Sequence, residues 1–239
     1  PIGAGADQDR KPCFADDGVQ DFRAFFTKQR RIIHNGFSSV LVSWFYPSCY
    51  NIAQMGESSM SDELIRLSAT EAVAKLATRE ISPLDLIDAA EARIAAVDGD
   101  VNALPTLCLD RAREHARALM AGKRREAEGE AGWLGGLPVA IKDLAEVAGV
   151  RTTYGSPIFA DYVPRESHPV VERIERKGGI VIAKSNTPEF GAGGSTFNEV
   201  FGRTRNPWNT ALTCGGSTGG GAVALATGQV WLARGSGHG

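Results

Sequence analysis

A serine set among glycines and a lysine at the end of an apolar run are the residues of this chain whose types and settings suggest chemistry. Ser217 lies in the stretch CGGSTGGG at 214–221, and Lys142 ends the apolar run in the stretch GLPVAIKD at 136–143. A serine hydroxyl can attack a carbonyl or relay a proton, and a buried lysine can lose its own proton and act as a base. The pair suggests serine–lysine hydrolytic chemistry.

The glycines on both sides of the serine indicate a cradle for a ligand or a polarised hydroxyl. Gly215, Gly216, Gly219 and Gly220 allow the backbone to approach a ligand closely. The stretch leads into an expected helix, whose free N–H groups and positive end would face the loop. A phosphate loop is disfavoured, because no Lys-Ser/Thr pair follows the glycines.

Two other interpretations of the cradle stay open at this point. A nucleophile elbow would match G-x-S-x-G, but it needs a buried strand just before it, and residues 206–210 are turn-like. It also needs an aspartate and a histidine downstream, where only His238 is available. The alternative without chemistry is a glycine-rich turn that precedes a helix.

Composition and charge exclude several classes of protein. The chain has 239 residues, of which 43% are hydrophobic, and a net charge of −2, so neither a nucleic-acid partner nor a membrane partner is indicated. No run reaches the ~18 apolar residues of a membrane span. The four cysteines form no CxxC pair, which is typical of free thiols in a reducing compartment and predicts a cytoplasmic protein. The four histidines form no HExxH motif, so no metal site is expected.

Helices and strands alternate along the chain after residue 60. A capping box at 68–71 and the Ser82-Pro83 pair each predict a helix start, the second helix ending at 98–100, and a third helix is expected over 110–120. Apolar runs at 137–141, 180–183 and 230–233 predict buried strands, with helices over about 170–178 and 222–227. This pattern indicates an α/β fold with a β-sheet between helices.

Four ordered blocks of this sequence resemble the amidase signature family. The block at 136–143 looks like the lysine motif of that family, and KSNTPEF at 184–190 and FGRTRNPW at 201–208 are similar to its two following blocks. The block GGSTGG at 215–220 matches the signature GGSSGG, with Thr218 in place of the second serine. The resemblance covers roughly residues 60–239 and implies a mixed sheet that continues beyond the last residue.

The resemblance implies a Ser–cis-Ser–Lys triad with Lys142 as the base and Ser217 as the bridging serine, held by a cis peptide after Gly216. The nucleophilic serine of the family is expected just beyond Gly239, so this chain is predicted to be inactive alone. The backbone around His238 and Gly239 would belong to the oxyanion-hole region. Gly237 stands where the family has aspartate, and His238 where a small or apolar residue is usual.

The same resemblance implies a substrate and leaves two rival functions. The substrate would be a small-molecule amide, cleaved through an acyl-enzyme with no cofactor, and a homodimer is allowed. The rivals are the glutaminase subunit of a tRNA-dependent amidotransferase, which usually has NMDEF where this chain has NTPEF at 186–190, and a non-catalytic, degenerate product. That difference favours a stand-alone amidase.

Two further expectations concern the periphery of the domain. Residues 1–54 lack sustained periodicity and fall outside the resemblance, so they are interpreted as an N-terminal extension, disordered or foreign to the domain. A poorly patterned first subdomain is the alternative. Trp133, Tyr154, Phe159 and Phe190 are candidates to line the site, although core packing is the more common role of such side chains.

Overall fold

The computed structural model describes residues 41–42, 60–123 and 127–236, and the structural statements below refer to these ranges. Of the segment 1–54, only Leu41–Val42 is described, as a two-residue strand, β1. The interpretation of this segment as an extension otherwise lies outside the described residues and stays a prediction.

Helices account for most of the described residues before the glycine cradle. They are α1 (Met60–Ile65), α2 (Ala69–Ala77), α3 (Pro83–Val101), α4 (Leu109–Met120), α5 (Pro169–Arg176) and α6 (Gly219–Ala226), with 3₁₀ turns at Pro157–Phe159 and Glu189–Gly191. Both predicted capping boxes are present: Ser68 and Glu71 bond reciprocally before α2, and Ser82 and Asp85 do so before α3. None of the described helices is long and apolar enough to cross a bilayer.

A five-stranded mixed sheet forms the centre of the described domain. Besides β1, its strands are β2 (Thr106–Leu107), β3 (Pro138–Lys142), β4 (Ile180–Ser185) and β9 (Leu232–Arg234). Their order in the sheet is β1-β9-β3-β4-β2. β3 lies between β4 and β9 and runs parallel to both, whereas β1 and β2 are antiparallel edge strands. Every residue of β3 and β4 is buried, as expected for parallel strands covered on both faces.

Two small hairpins separate the sheet from the glycine cradle, and the sequence patterns did not predict them. β5 (Phe197–Asn198) pairs with β6 (Gly202–Arg203), and β7 (Arg205–Asn206) pairs with β8 (Asn209–Thr213). All five residues of β8 are exposed. The strand before the cradle is therefore not the buried strand that a nucleophile elbow requires.

The predicted end of α3 at 98–100 was wrong, because the helix continues to Val101. Val101 is buried in the core, so the last turn gains apolar contacts that offset the low helix propensity of Gly99. The helix ends at Asn102, which adopts the left-handed conformation typical of a helix C-terminus. The Asp98 carboxylate then accepts bonds from the backbone N–H groups of Ala103 and Leu104.

The predicted start of the last helix at residue 222 was also wrong, since α6 begins at Gly219. The first turn of α6 lies directly against the chain that follows β4. A Cβ on Gly220 would lie 2.7 Å from the Ala103 carbonyl oxygen and closer still to the backbone nitrogen of Asn186. The glycine is therefore required by this close approach of three backbone segments, and the helix carries it in spite of its low propensity.

Replacement of Gly220 by alanine tests this close approach. We expect Gly220→Ala to lower the free energy of unfolding by about 3 kcal/mol, because the added methyl group meets backbone atoms that cannot rotate away. Gly99→Ala in α3 is the matched control, since a Cβ there meets nothing within 4 Å. It should stabilise the chain by up to about 1 kcal/mol. Urea denaturation measures both, and equal effects of the two variants would contradict this account.

Candidate active site

The Lys142 amine lies at the carboxyl end of β3, among three hydroxyl groups. Its side chain has no exposed surface, and its Nζ lies 2.7 Å from Ser217 Oγ, 3.1 Å from Thr218 Oγ1 and 3.0 Å from Ser236 Oγ. The Ser236 carbonyl oxygen accepts a fourth bond at 3.2 Å. The structure therefore brings together the lysine and the serine that the sequence singled out.

Burial changes the proton affinity of this amine. Loss of hydration lowers the pKa of Lys142 from 10.5 to about 8, and the positive charge of Arg234 on β9 acts in the same direction. With this pKa, about a tenth of the amine is neutral at pH 7, compared with far less than a hundredth for an exposed lysine. A neutral amine has a lone pair that can accept a proton from a nearby hydroxyl.

Ser217 is held by its backbone as well as by its side chain. The peptide bond between Gly216 and Ser217 is cis, as the family resemblance implied. The Thr187 hydroxyl donates a bond to the Ser217 carbonyl oxygen at 3.3 Å. A Cβ on Gly216 would lie 3.0 Å from the Gly193 carbonyl oxygen, so the segment after β4 packs closely against the backbone beside the serine.

One threonine hydroxyl ties the two halves of the glycine cradle together. Thr196 Oγ1 donates to the Gly215 carbonyl oxygen at 2.9 Å and accepts from the Gly219 N–H at 3.1 Å. Gly220 N–H donates to the Asn186 carbonyl oxygen at 3.3 Å. The N-terminal amides of Gly219 and Gly220 thus bond to this protein's own oxygens, so these two glycines serve close packing rather than an open ligand loop.

Thr218 and Ser236 contact the lysine, although the sequence analysis assigned no role to either. Ser236 follows β9, and β9 lies beside β3, so both Ser236 and Lys142 sit at the same end of parallel strands. The Thr218 hydroxyl donates to the Ser236 carbonyl oxygen at 2.5 Å. Polar residues at the carboxyl ends of adjacent parallel strands converge, and this rule would have indicated Ser236 from the sequence.

The remaining predicted site residues are not all placed by the structure. His238 and Gly239 lie outside the described residues, so their assignment to the oxyanion-hole region stays a prediction. Within the described ranges, no group of three or more His, Cys, Asp or Glu side chains could hold a metal ion.

Of the four aromatic candidates, three lie together and one does not. Tyr154 and Phe190 each contact Phe159 edge-on, with ring centroids 5.0 and 6.2 Å apart, and Phe190 is 53% exposed. Trp133 instead lies against Gly178, before the start of β4 and so at the opposite end of the parallel strands from Lys142. Its candidacy was wrong, because the loop that carries it precedes β3 rather than following it.

The state of the Lys142 amine can be measured directly. We expect the ¹³Cε resonance of Lys142 to titrate with a midpoint near pH 8 in lysine-labelled protein, its assignment fixed by Lys142→Met. Because the unfolded chain holds this proton up to about pH 10.5, the contribution of Lys142 to the free energy of unfolding should rise between pH 8 and 10.5. A midpoint above pH 10 would show that the amine is not desolvated.

Comparison with known proteins agrees with this geometry. The family model described as Amidase matches residues 85–239. A glutamyl-tRNA(Gln) amidotransferase component, the A chain of that enzyme from Anaeromyxobacter dehalogenans (strain 2CP-C), is 43% identical over 180 residues, which are 75% of this chain and 36% of that protein.

Solved structures resemble the fold. A bacterial aryl acylamidase of the amidase signature family is 31% identical, with a TM-score of 0.62 over 70% of this chain and 34% of its own. 6-Aminohexanoate cyclic dimer hydrolase is 29% identical, with a TM-score of 0.63 over 72% of this chain and 34% of its own. This chain thus spans about a third of the length of these relatives, and it belongs to the amidase signature family.

Proposed function

We propose that the protein to which this chain belongs hydrolyses the C–N bond of a small-molecule carboxamide through a serine acyl-enzyme. The observation that carries the proposal is the 2.7 Å separation of Lys142 Nζ and Ser217 Oγ at a buried site. Membership of the amidase signature family supports amide chemistry in general. Because the chain spans 36% of the length of its relative, the activity is proposed for the whole protein.

In the proposed reaction, Lys142 is the base and Ser217 relays protons. The neutral Lys142 amine accepts the Ser217 hydroxyl proton while Ser217 Oγ takes the proton of the nucleophilic serine, which we place just beyond Gly239. That serine attacks the amide carbonyl carbon and forms a tetrahedral intermediate. The protons then return through Ser217 to the leaving nitrogen, the C–N bond breaks, and an amine or ammonia departs.

The second half of the cycle uses the same groups in the same order. A water molecule replaces the departed amine, gives its proton through Ser217 to Lys142, and attacks the acyl-enzyme to release a carboxylic acid. Backbone N–H groups around His238 and Gly239 are proposed to stabilise the oxyanion in both halves. The hydroxyls of Thr218 and Ser236 restrict the amine to one position, which aligns it with Ser217.

Replacement of the base tests the proposal in protein of full family length. We expect Lys142→Ala to lower kcat/KM for a panel of primary amides and anilides by at least about 10³-fold, since the relay then has no proton acceptor. Lys177→Ala is the matched control, because Lys177 bonds to Glu130 at the surface. The readouts are ammonia or aniline release and a retained circular dichroism spectrum.

The same panel tests whether the nucleophile lies beyond residue 239. The 239-residue chain alone should release no product above background. Release that depends on Lys142 would place the nucleophile within the chain and contradict this part of the proposal. Loss of activity in Lys177→Ala but not in Lys142→Ala would contradict the assignment of the base.

A second candidate function is that of the glutaminase subunit of a tRNA-dependent amidotransferase. The name of the relative from Anaeromyxobacter dehalogenans favours this candidate. Against it stands the departure from NMDEF at 186–190, where Thr187 contacts Ser217 directly, so the difference falls beside the proposed relay rather than on the surface. We therefore prefer a stand-alone amidase.

Glutamine separates the two candidates. A stand-alone amidase should hydrolyse simple amides without partner proteins and show no increase in glutamine hydrolysis when amidotransferase partner proteins are added. Ammonia release from glutamine that appears only with those partners would reverse the preference. Thr187→Met combined with Pro188→Asp, which restores the block typical of the glutaminase, should not create glutaminase activity in a stand-alone amidase.

A further inference from the structure

A buried ion pair lies behind Lys142 on the other face of the sheet. Asp143 and Lys184 have 1% and 0% of their surface exposed, and Lys184 Nζ lies 2.7 Å from Asp143 Oδ1. Side chains alternate along a strand, so Asp143 points away from the face that carries the Lys142 amine. β3 and β4 pair in register, with Ile141 opposite Lys184 and Lys142 opposite Ser185.

The Asp143 carboxylate connects the ends of both strands to the loop that follows β3. Its Oδ2 accepts bonds from the Thr153 N–H at 3.0 Å and from the Thr153 hydroxyl at 2.6 Å. Lys184 Nζ also donates to Thr152 Oγ1 at 2.7 Å. The Asp143 N–H donates to the Ser185 carbonyl oxygen at 3.0 Å. These bonds hold the residue after Lys142 in one position.

The charge of this pair bears on the proposed base. Asp143 follows Lys142 in the chain, and a lone buried carboxylate there would favour the ammonium form of Lys142 at a dielectric far below that of water. Lys184 supplies the opposite charge at contact distance. The other ionisable groups facing this region are Arg234 on β9, and Cys108, Glu146 and Tyr154 around the pair.

We propose that Asp143 and Lys184 are positioning residues that act as a neutral unit: Asp143 fixes the strand end that carries Lys142, and Lys184 cancels the negative charge that Asp143 would otherwise place behind the Lys142 amine. The inference rests on the proposed role of Lys142 as base. A pair that served stability alone would have no directed effect on the protonation of Lys142, which separates the two roles.

The test uses the whole chain and reads Lys142 without turnover. The probe is the ¹³Cε titration of Lys142 in Lys184→Met, Asp143→Asn and the double variant, with Thr153→Val as a control that removes a bond to Asp143 but no charge. We expect Lys184→Met to raise the midpoint by about one pH unit, because it leaves the carboxylate uncompensated. Asp143→Asn should lower the midpoint or leave it unchanged, and the double variant and Thr153→Val should match the parent within about half a unit.

Each other result overturns the proposal. No rise in a folded Lys184→Met, a rise in Asp143→Asn, or a displaced midpoint in the double variant would contradict charge cancellation. Either single variant can fail to fold, because it buries one unpaired charge. The uncharged double variant then decides: a folded protein with an unchanged midpoint supports the proposal, and failure to fold shows that the pair serves the fold itself. Since no substrate is involved, these results are independent of whether amide hydrolysis is found.

Discussion

Burial of the Lys142 amine at the end of β3 is the constraint on which the rest of the described site depends. An amine that is removed from water must lose its charge or gain partners, and Lys142 does both in part: its pKa falls to about 8 and three hydroxyls and a carbonyl surround its Nζ. Each of those oxygens belongs to a different part of the chain from β3. The position of one nitrogen atom therefore fixes where the cradle and the end of β9 must lie.

The parallel arrangement of β9, β3 and β4 satisfies this constraint with short connections. Three strands that run the same way deliver their carboxyl ends to one edge, where Ser236, Lys142 and Ser185 follow or end them. The cradle enters from the same edge through α6, whose first turn contacts the chain after β4. Close packing of glycine backbone, rather than an open loop, sets the distance between Ser217 and the lysine.

Much of the fold could be predicted from the sequence because apolar runs and caps mark buried strands and helix starts directly. The capping boxes before α2 and α3 and the buried runs of β3 and β4 are confirmed in place. The end of α3 was missed because tertiary burial of Val101 outweighed a glycine and two aspartates that usually stop a helix. Local sequence carries no record of such a distant contact.

The site divides in the same way. Lys142 and Ser217 could be predicted because each lies within an ordered block of residues that resembles a family, whereas the contacts of Ser236 and the Asp143–Lys184 pair were missed. Their importance arises from strand order, which places β9 beside β3 and Lys184 opposite Ile141. The order of strands in a sheet is a long-range property, and a motif has no information on it.

The position of β9 has a consequence for how the domain acquires its shape. β3 pairs with β4 on one side and with β9 on the other, and the contact between Lys142 and Ser236 spans 94 residues. During synthesis, β3 and β4 emerge together, but one edge of β3 stays unpaired until β9 follows. An apolar strand with a free edge is a template for pairing with another chain. Nascent chains that stop before β9 are thus expected to need protection from one another.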